Sequence, residues 1–286
     1  MPEADEKNVA ETAVAQKLSS IFLVMTEPND GQEDEFNDWY TNIHCHDIMR
    51  LQGSVAVQRF KLSPYQLRYN RKYVGPRQPW LCIYELNNSQ QNLDDHVRYC
   101  FSDAMPISSA LNVDTGEDFY YVPVVPGKTA VECFNARGGH VLLIRMNIKA
   151  GQEAQFIKWY REHYQPRLLK LIGFGDGDLY RAAEIQLINR APTYEFSAVY
   201  HVDDPMVAVE SLDSHLAQSK TILDCPHVEP GSIGIACYSP ISNRLTAEQA
   251  RNLPLAQKQL EDRFRENMKG RRLTPDSVDT FKVKPE

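Results

Sequence analysis

"IFLVMTEPNDGQEDEFNDWYTNIHCHDIMRLQG" (residues 21–53) and "VLLIRMNIKAGQEAQFIKWYREHYQPRLLKLIG" (residues 141–173) are two versions of one stretch. Gly31-Gln32-Glu33 returns as Gly151-Gln152-Glu153, Phe36 as Phe156, Trp39-Tyr40 as Trp159-Tyr160, Leu51 as Leu171 and Gly53 as Gly173. All stand at the same separation, 120 positions with no gap, as Trp39 and Trp159 do. Two of the three tryptophans of the chain matching in one register is not a chance event, and the chain reads as a tandem duplication.

Each copy has one element pattern. An aliphatic run (residues 21–25; 141–146) reads as a strand closed by a glycine-containing turn. Glu33, Glu35 and Glu153 suit the positive end of the helix that follows, and Gly53 and Gly173 suit its left-handed stop. Second strands are expected at about 54–62 and 174–182, and third strands at 79–86 and 194–202. A helix follows in each copy (about 93–101; 206–218), and "DFYYVPVV" (118–125) and "GSIGIACYS" (231–239) supply the fourth strands. The fold class is α+β, with the ferredoxin-like order βαββαβ occurring twice. Each antiparallel sheet carries helices on one face and needs its other face covered. The other copy is the nearest cover, which predicts two facing sheets closed into a barrel around a central cavity. The expected boundaries are a flexible N-terminal arm at 1–18, repeats at 19–128 and 137–241, and a C-terminal helix and tail at 245–286. "TAEQ" (246–249) is a capping box that opens the tail. Leu260, Phe264 and Met268 give the helix after Pro254 an apolar face to dock on the body or on a second subunit, as a homodimer.

Composition excludes some classes of partner. With 286 residues and a net charge of −7 spread in both signs, no basic stripe that would follow a nucleic-acid backbone is present. No apolar segment is long enough to span a membrane, and the acidic start of the chain is unlike a signal peptide. The six cysteines form no C-x-x-C and sit in apolar runs, as suits a reducing cytoplasm.

The polar residues of residues 36–49 carry the chemistry. On a wheel of about 100° per residue, Phe36, Trp39, Tyr40, Ile43 and Leu51 form one stripe, with Asp47 near its middle and His44 on its edge. A buried carboxylate needs a partner, and His44, Asp47 and Tyr40 fall at spacings that allow hydrogen bonds. Asp47 could hold the imidazole in one tautomer and make His44 a general base. The plainer reading is a polar helix end satisfied by backbone and water. His44 and His46 stand two apart on a helix and point to nearly opposite sides, so they cannot grip one metal together; no metal site is expected.

The pattern of strand, G-x-E turn and F-x-x-W-Y-x-x-x-H-x-x-D-x-x-x-x-x-G (Phe36, Trp39, Tyr40, His44, Asp47, Gly53) resembles the dimeric α/β-barrel superfamily and its EthD-like branch, over about residues 20–240. The resemblance implies catalysis without a cofactor, as in polyketide cyclases, dehydratases and decarboxylases, lactone isomerases and quinone-forming monooxygenases; some relatives use haem. His46 stands where relatives, and the second copy at Pro166, carry proline. His44 is then the base, Asp47 its orienting partner, and Tyr40 and His46 donors to developing negative charge, with Trp39 shaping the pocket. Arg59 and Tyr84 are candidate lining residues, alongside His96 and His215. In the second copy His163, Tyr164 and Arg167 replace Ile43, His44 and Asp47 and either contact substrate or are structural. The expected function is a lyase acting on a small aromatic or polyketide-like molecule in an apolar cavity. A monooxygenase, an isomerase or cyclase, a haem enzyme and a ligand carrier remain open alternatives.

Overall fold

The computed structural model describes residues 20–68, 72–75, 77–124, 139–187, 190–218 and 220–275. The expected N-terminal arm and the last eleven residues of the tail lie outside the described residues.

Strands β1 (Ser20–Pro28), β2 (Ser54–Leu62), β3 (Trp80–Leu86) and β4 (Leu111–Pro123) belong to the first half; β5 (His140–Met146), β6 (Phe174–Ala182), β7 (Phe196–Val202) and β8 (Gly234–Pro240) belong to the second. Hydrogen bonding runs β1-β4-β6-β7-β5-β8-β2-β3 and back to β1, an eight-stranded antiparallel barrel. The halves are stitched at two seams, β4 to β6 (Tyr121 opposite Ala182) and β2 to β8 (Phe60 opposite Pro240). A short strand β9 (Leu245–Thr246) adds to β2 outside the closed ring.

Alternation along the strands separates three cores. Ile21, Leu23 and Met25 point inward with Phe60, Ile83, Phe119, Tyr121, Val141, Leu143, Tyr180 and Tyr238. Phe22 and Val24 point outward, under the first-half helices. Leu142 and Ile144 do the same in the second half. Among the described residues these aromatic and aliphatic side chains pack together inside the barrel, as eight strands enclose a space that side chains can fill.

Helix α1 has three parts: an α segment Glu33–Trp39, a π turn Tyr40–His44 and a second α segment Cys45–Arg50. Helix α2 is Ser89–Tyr99. In the second half α3 repeats the same construction, Glu153–Trp159, π turn Tyr160–Tyr164 and Gln165–Leu168, and α4 is Pro205–Leu216. The π turns thus fall at the same place in both halves. Such turns insert one residue into an α-helix and recur at functional sites.

Gly53 and Gly173 end these helices at φ +78° and +85°. A Cβ on Gly53 would stand 2.2 Å from the carbonyl oxygen of Asn88, the N-cap of α2. Gly53→Ala therefore combines left-handed strain with a backbone clash and should lower stability by about 2–3 kcal/mol, read as a loss in the urea unfolding midpoint.

The C-terminal segment forms α5 (Ala247–Arg251), whose Thr246–Gln249 capping box is complete, and α6 (Leu255–Asn267). Helix α6 lies on α1, and Phe264 and Met268 join the first-half core.

Candidate active site

The π turn decides where the polar residues of α1 go. In a π turn residues i and i+5 come into line, and His44 lies against Trp39, ring centroids 4.8 Å apart; Tyr40 meets it edge-on at 5.1 Å. The second half shows the same contact, Tyr164 stacked on Trp159 at 5.2 Å. The inserted residue turns everything after His44 by roughly 100° relative to a plain helix. The hydrogen bond expected between His44 and Asp47 does not form.

Asp47 instead faces α6, where Oδ1 accepts from Arg265 and, at 3.3 Å, from Arg50. Glu261 joins them with two 2.7 Å bonds from Arg50 and bonds from Arg265, and His46 Nδ1 lies 3.4 Å from the same carboxylate. Burial pushes the Asp47 carboxyl up to about 7 against the pull of Arg265 and Arg50. The arginine and histidine partners around Glu261 hold its carboxyl well below the ordinary range despite desolvation. Asp47 and His46 thus contact the groups that hold the C-terminal helix, and neither is placed against His44.

His44 lines a cavity of about 60 Å³ between the outer sheet face and the helices. Its floor is Phe22 and Val24, with Trp39, Tyr40 and His44 on one wall and His96, Cys100 and Phe101 on another. Trp39 is fixed by its indole N–H donating to the carbonyl of Pro106 at 2.9 Å. His96, on α2, lies 6.5 Å from His44 between ring centroids and meets the Phe22 ring edge-on at 5.9 Å. Nδ1 of each histidine is buried without a hydrogen-bond partner. Burial, with smaller contributions from His96 and Arg59, pushes His44 down to about 3, and burial pushes His96 down to about 4. Both imidazoles are therefore neutral at physiological pH. Phe101 adds backbone strain at the rim, with φ 66°, a conformation rare for an aromatic residue.

Two contributions to this cavity were not legible. Asp118, on β4 opposite Val24 of β1, also lines it, with Oδ1 buried and unpartnered. Burial pushes Asp118 up to about 6 against the opposing charge of Arg190. Leu187 and Arg190 come from the second half, between β6 and β7, so both halves build the site. Arg190 donates to the Gly116 carbonyl and lies over the Phe119 ring at 5.5 Å.

The other candidates separate from the cavity. Arg59 is buried behind α1, where its guanidinium covers the Tyr40 ring at 4.5 Å and bonds Thr41 (2.5 Å) and Asn37 (2.9 Å). It braces the π turn rather than a substrate. Tyr84 lies under Tyr40 and donates to its hydroxyl at 3.3 Å. In the second half Tyr164 is fully buried in the core beside His215. His163 and Arg167 line a separate surface recess of about 250 Å³, where Arg167 bonds the Lys220 carbonyl. A further recess, about 1010 Å³, is an open groove between α1 and the C-terminal segment. Its charged groups are already paired, Glu261 as above and Arg244 with Glu85.

The halves differ where the chemistry lies. His44 corresponds to Tyr164, and His96, eight residues after the Asn88 cap of α2, corresponds to Leu212, eight after the Asp204 cap of α4. Tyr164 and Leu212 are fully buried in the second core. The first half has two imidazoles beside a cavity, where the second half has a tyrosine and a leucine. Among the described residues no cluster of three or more His, Cys, Asp or Glu is placed to hold a metal ion, and no helix is long and apolar enough to cross a membrane.

No protein-family model matches the chain, and no curated protein matches it. Among solved structures, an anthrone oxidase-like protein superposes with TM-score 0.54 at 9% identity, over 82% of this chain and 95% of that one. A variant of chlorite dismutase from Candidatus Nitrospira defluvii superposes with TM-score 0.47 at 10% identity, over 90% and 99%. The first likeness shows the fold. That fold is a closed eight-stranded antiparallel α+β barrel, both halves of which lie here in one polypeptide.

Proposed function

We propose that the chain is a cofactor-independent enzyme, a lyase, that removes a proton from a small aromatic substrate in the first-half cavity. The finer placement in the EthD-like branch rests on the residue 36–47 pattern. The observation that carries the reading is the pair of buried imidazoles, His44 and His96, each with an unpartnered nitrogen, facing one aromatic-walled cavity. Neutral imidazoles accept protons. An isolated imidazolium would be costly in this apolar site. A substrate that becomes an enolate or phenolate as it loses its proton supplies the counter-charge, and the ion pair offsets that penalty. His44 is the acceptor, packed against Trp39, and His96 is the second proton-carrying group. The reaction closes when the proton held by His44 is returned: to a hydroxide expelled from the enolate, which leaves as water, or to the ring carbon that loses its carboxylate as carbon dioxide.

A haem does not fit here. His44 has a free ring nitrogen, but about 60 Å³ is far below the roughly 300–1,000 Å³ of pockets that hold larger ligands. The test is to incubate the protein with phenols and aromatic ketones in deuterated water, following deuterium uptake and mass loss by mass spectrometry and oxygen with an electrode. Enzyme-dependent exchange and loss of carbon dioxide or water without oxygen uptake supports the lyase. Oxygen uptake replaces it with the monooxygenase reading. Binding without exchange or turnover leaves a carrier.

A further inference from the structure

The cavity has two polar ends, and its size and its unpaired atoms together describe a ligand. Beneath it, Phe22 and Val24 of β1 lie opposite Tyr120 and Asp118 of β4. The imidazole end stands over Phe22, where His96 meets the ring. The carboxylate end stands beside Val24, two residues further along the strand, or about 7 Å. Between them the walls are aromatic and aliphatic: Trp39, Tyr40, Phe101, Ile107 and Leu187. At about 10–15 Å³ per water, 60 Å³ holds roughly four to six waters, the room of one aromatic ring.

Buried polar atoms in a folded protein are nearly always hydrogen-bonded. Here Asp118 Oδ1 has no donor, and Nδ1 of His44 and of His96 has no partner. At the matching places of the second half stand Tyr164 and Leu212, both fully buried, so the two imidazoles of the first half are not a requirement of the fold.

We propose that the ligand of this cavity is a single-ring phenol with a second oxygen substituent on its far side. One oxygen meets His44 and His96, and the other is a hydroxyl that donates to Asp118. The guanidinium of Arg190, carried in from the second half, keeps the Asp118 carboxylate in its accepting form. The inference rests on the cavity being the working site, and it adds the substrate class and a specificity-determining residue, Asp118.

The experiment is calorimetric titration of the full chain with phenol, resorcinol, hydroquinone and 2,6-dihydroxynaphthalene. A hydrogen bond to a charged acceptor is worth roughly tenfold in affinity or more, so resorcinol or hydroquinone should bind at least that much tighter than phenol. Asp118→Leu should erase the preference for the diol while leaving phenol binding within about threefold; Asp118→Asn should fall between. A thermal midpoint near that of the wild type shows that each variant is folded, and replacing a carboxylate with an unsatisfied oxygen by leucine should not lower it. Tighter binding of the naphthalene diol than of either single-ring diol overturns the inference, as does a diol preference that survives Asp118→Leu. If no single-ring phenol binds while a larger substrate is turned over in a His44-dependent way, the ligand class falls and the acid/base reading stands. If the diols bind as expected but no proton exchange depends on His44, the acid/base reading falls and the ligand class stands.

Discussion

His44→Tyr is expected to lower turnover by about 10²–10⁴-fold, the usual contribution of a positioned acid/base group, with the thermal midpoint unchanged or slightly raised. The second half has already made this substitution: Tyr164 occupies the matching position of the matching π turn, stacked on Trp159 as His44 packs on Trp39. A tyrosine is therefore compatible with this backbone. It fills the cavity and exchanges the unpartnered Nδ1 of His44 for a hydroxyl that in Tyr164 is likewise buried without a partner. The pH dependence of stability should change with it. Because His44 in the folded protein is held near 3, the unfolded chain takes up a proton near the ordinary value of 6.5 that the folded chain refuses. Wild-type stability is therefore complete above pH 6.5 and falls as the pH drops toward 3. The variant should lose less stability between pH 6.5 and 4 in thermal unfolding. Retained turnover in a folded His44→Tyr protein would remove His44 from the mechanism.

Arg265→Met should destabilise the protein by about 2–4 kcal/mol, the largest effect expected from a single change away from the cavity. Asp47 is 4% exposed and Glu261 5% exposed, and Arg265 bonds both. Without it Asp47 keeps only the 3.3 Å contact with Arg50, which is already engaged by Glu261. A buried carboxylate short of a partner is costly, whereas an apolar pair in the same space is not. Asp47→Leu combined with Arg265→Met should therefore recover most of the loss. Urea unfolding of the two single variants and the double variant closes the cycle. A neutral Arg265→Met would mean that α6 is held by Phe264 and Met268 alone. The same helix lies against the α1 turn that carries His44, so loosening it should also reduce turnover.

Much of the fold could be read because its signals are local. The strands of both halves show as aliphatic runs, Gly53 and Gly173 mark positive-φ stops, and the 120-residue offset pairs one helix with the other. The TAEQ capping box forms as written. The barrel interior is a different matter, since inward and outward strand faces are both apolar and only packing shows that Phe60, Phe119, Tyr180 and Tyr238 fill it.

The site was legible only in part. Trp39, Tyr40 and His44 do line the cavity, and His96 was among the candidates. The wheel placed Asp47 beside His44 because it assumed a uniform helix, and a π turn leaves no mark in a single sequence. Arg59 and Tyr84 were reasonable lining residues by position, but they brace Tyr40 from behind. Asp118 and Arg190 reach the cavity through strand register and through the docking of one half on the other, which lies beyond any local pattern.

The most direct test of the central claim is ¹H–¹⁵N spectroscopy of the histidine side chains in the full chain, titrated from pH 8 to 4.5 with and without hydroquinone. The account predicts that without ligand His44 stays neutral across this range and His96 begins to take up a proton only at its acid end, since burial holds them near 3 and 4, and that the ligand shifts these two signals and leaves His163 unmoved. Titration of both near 6.5 would contradict it, as would a bound ligand that leaves His44 and His96 undisturbed.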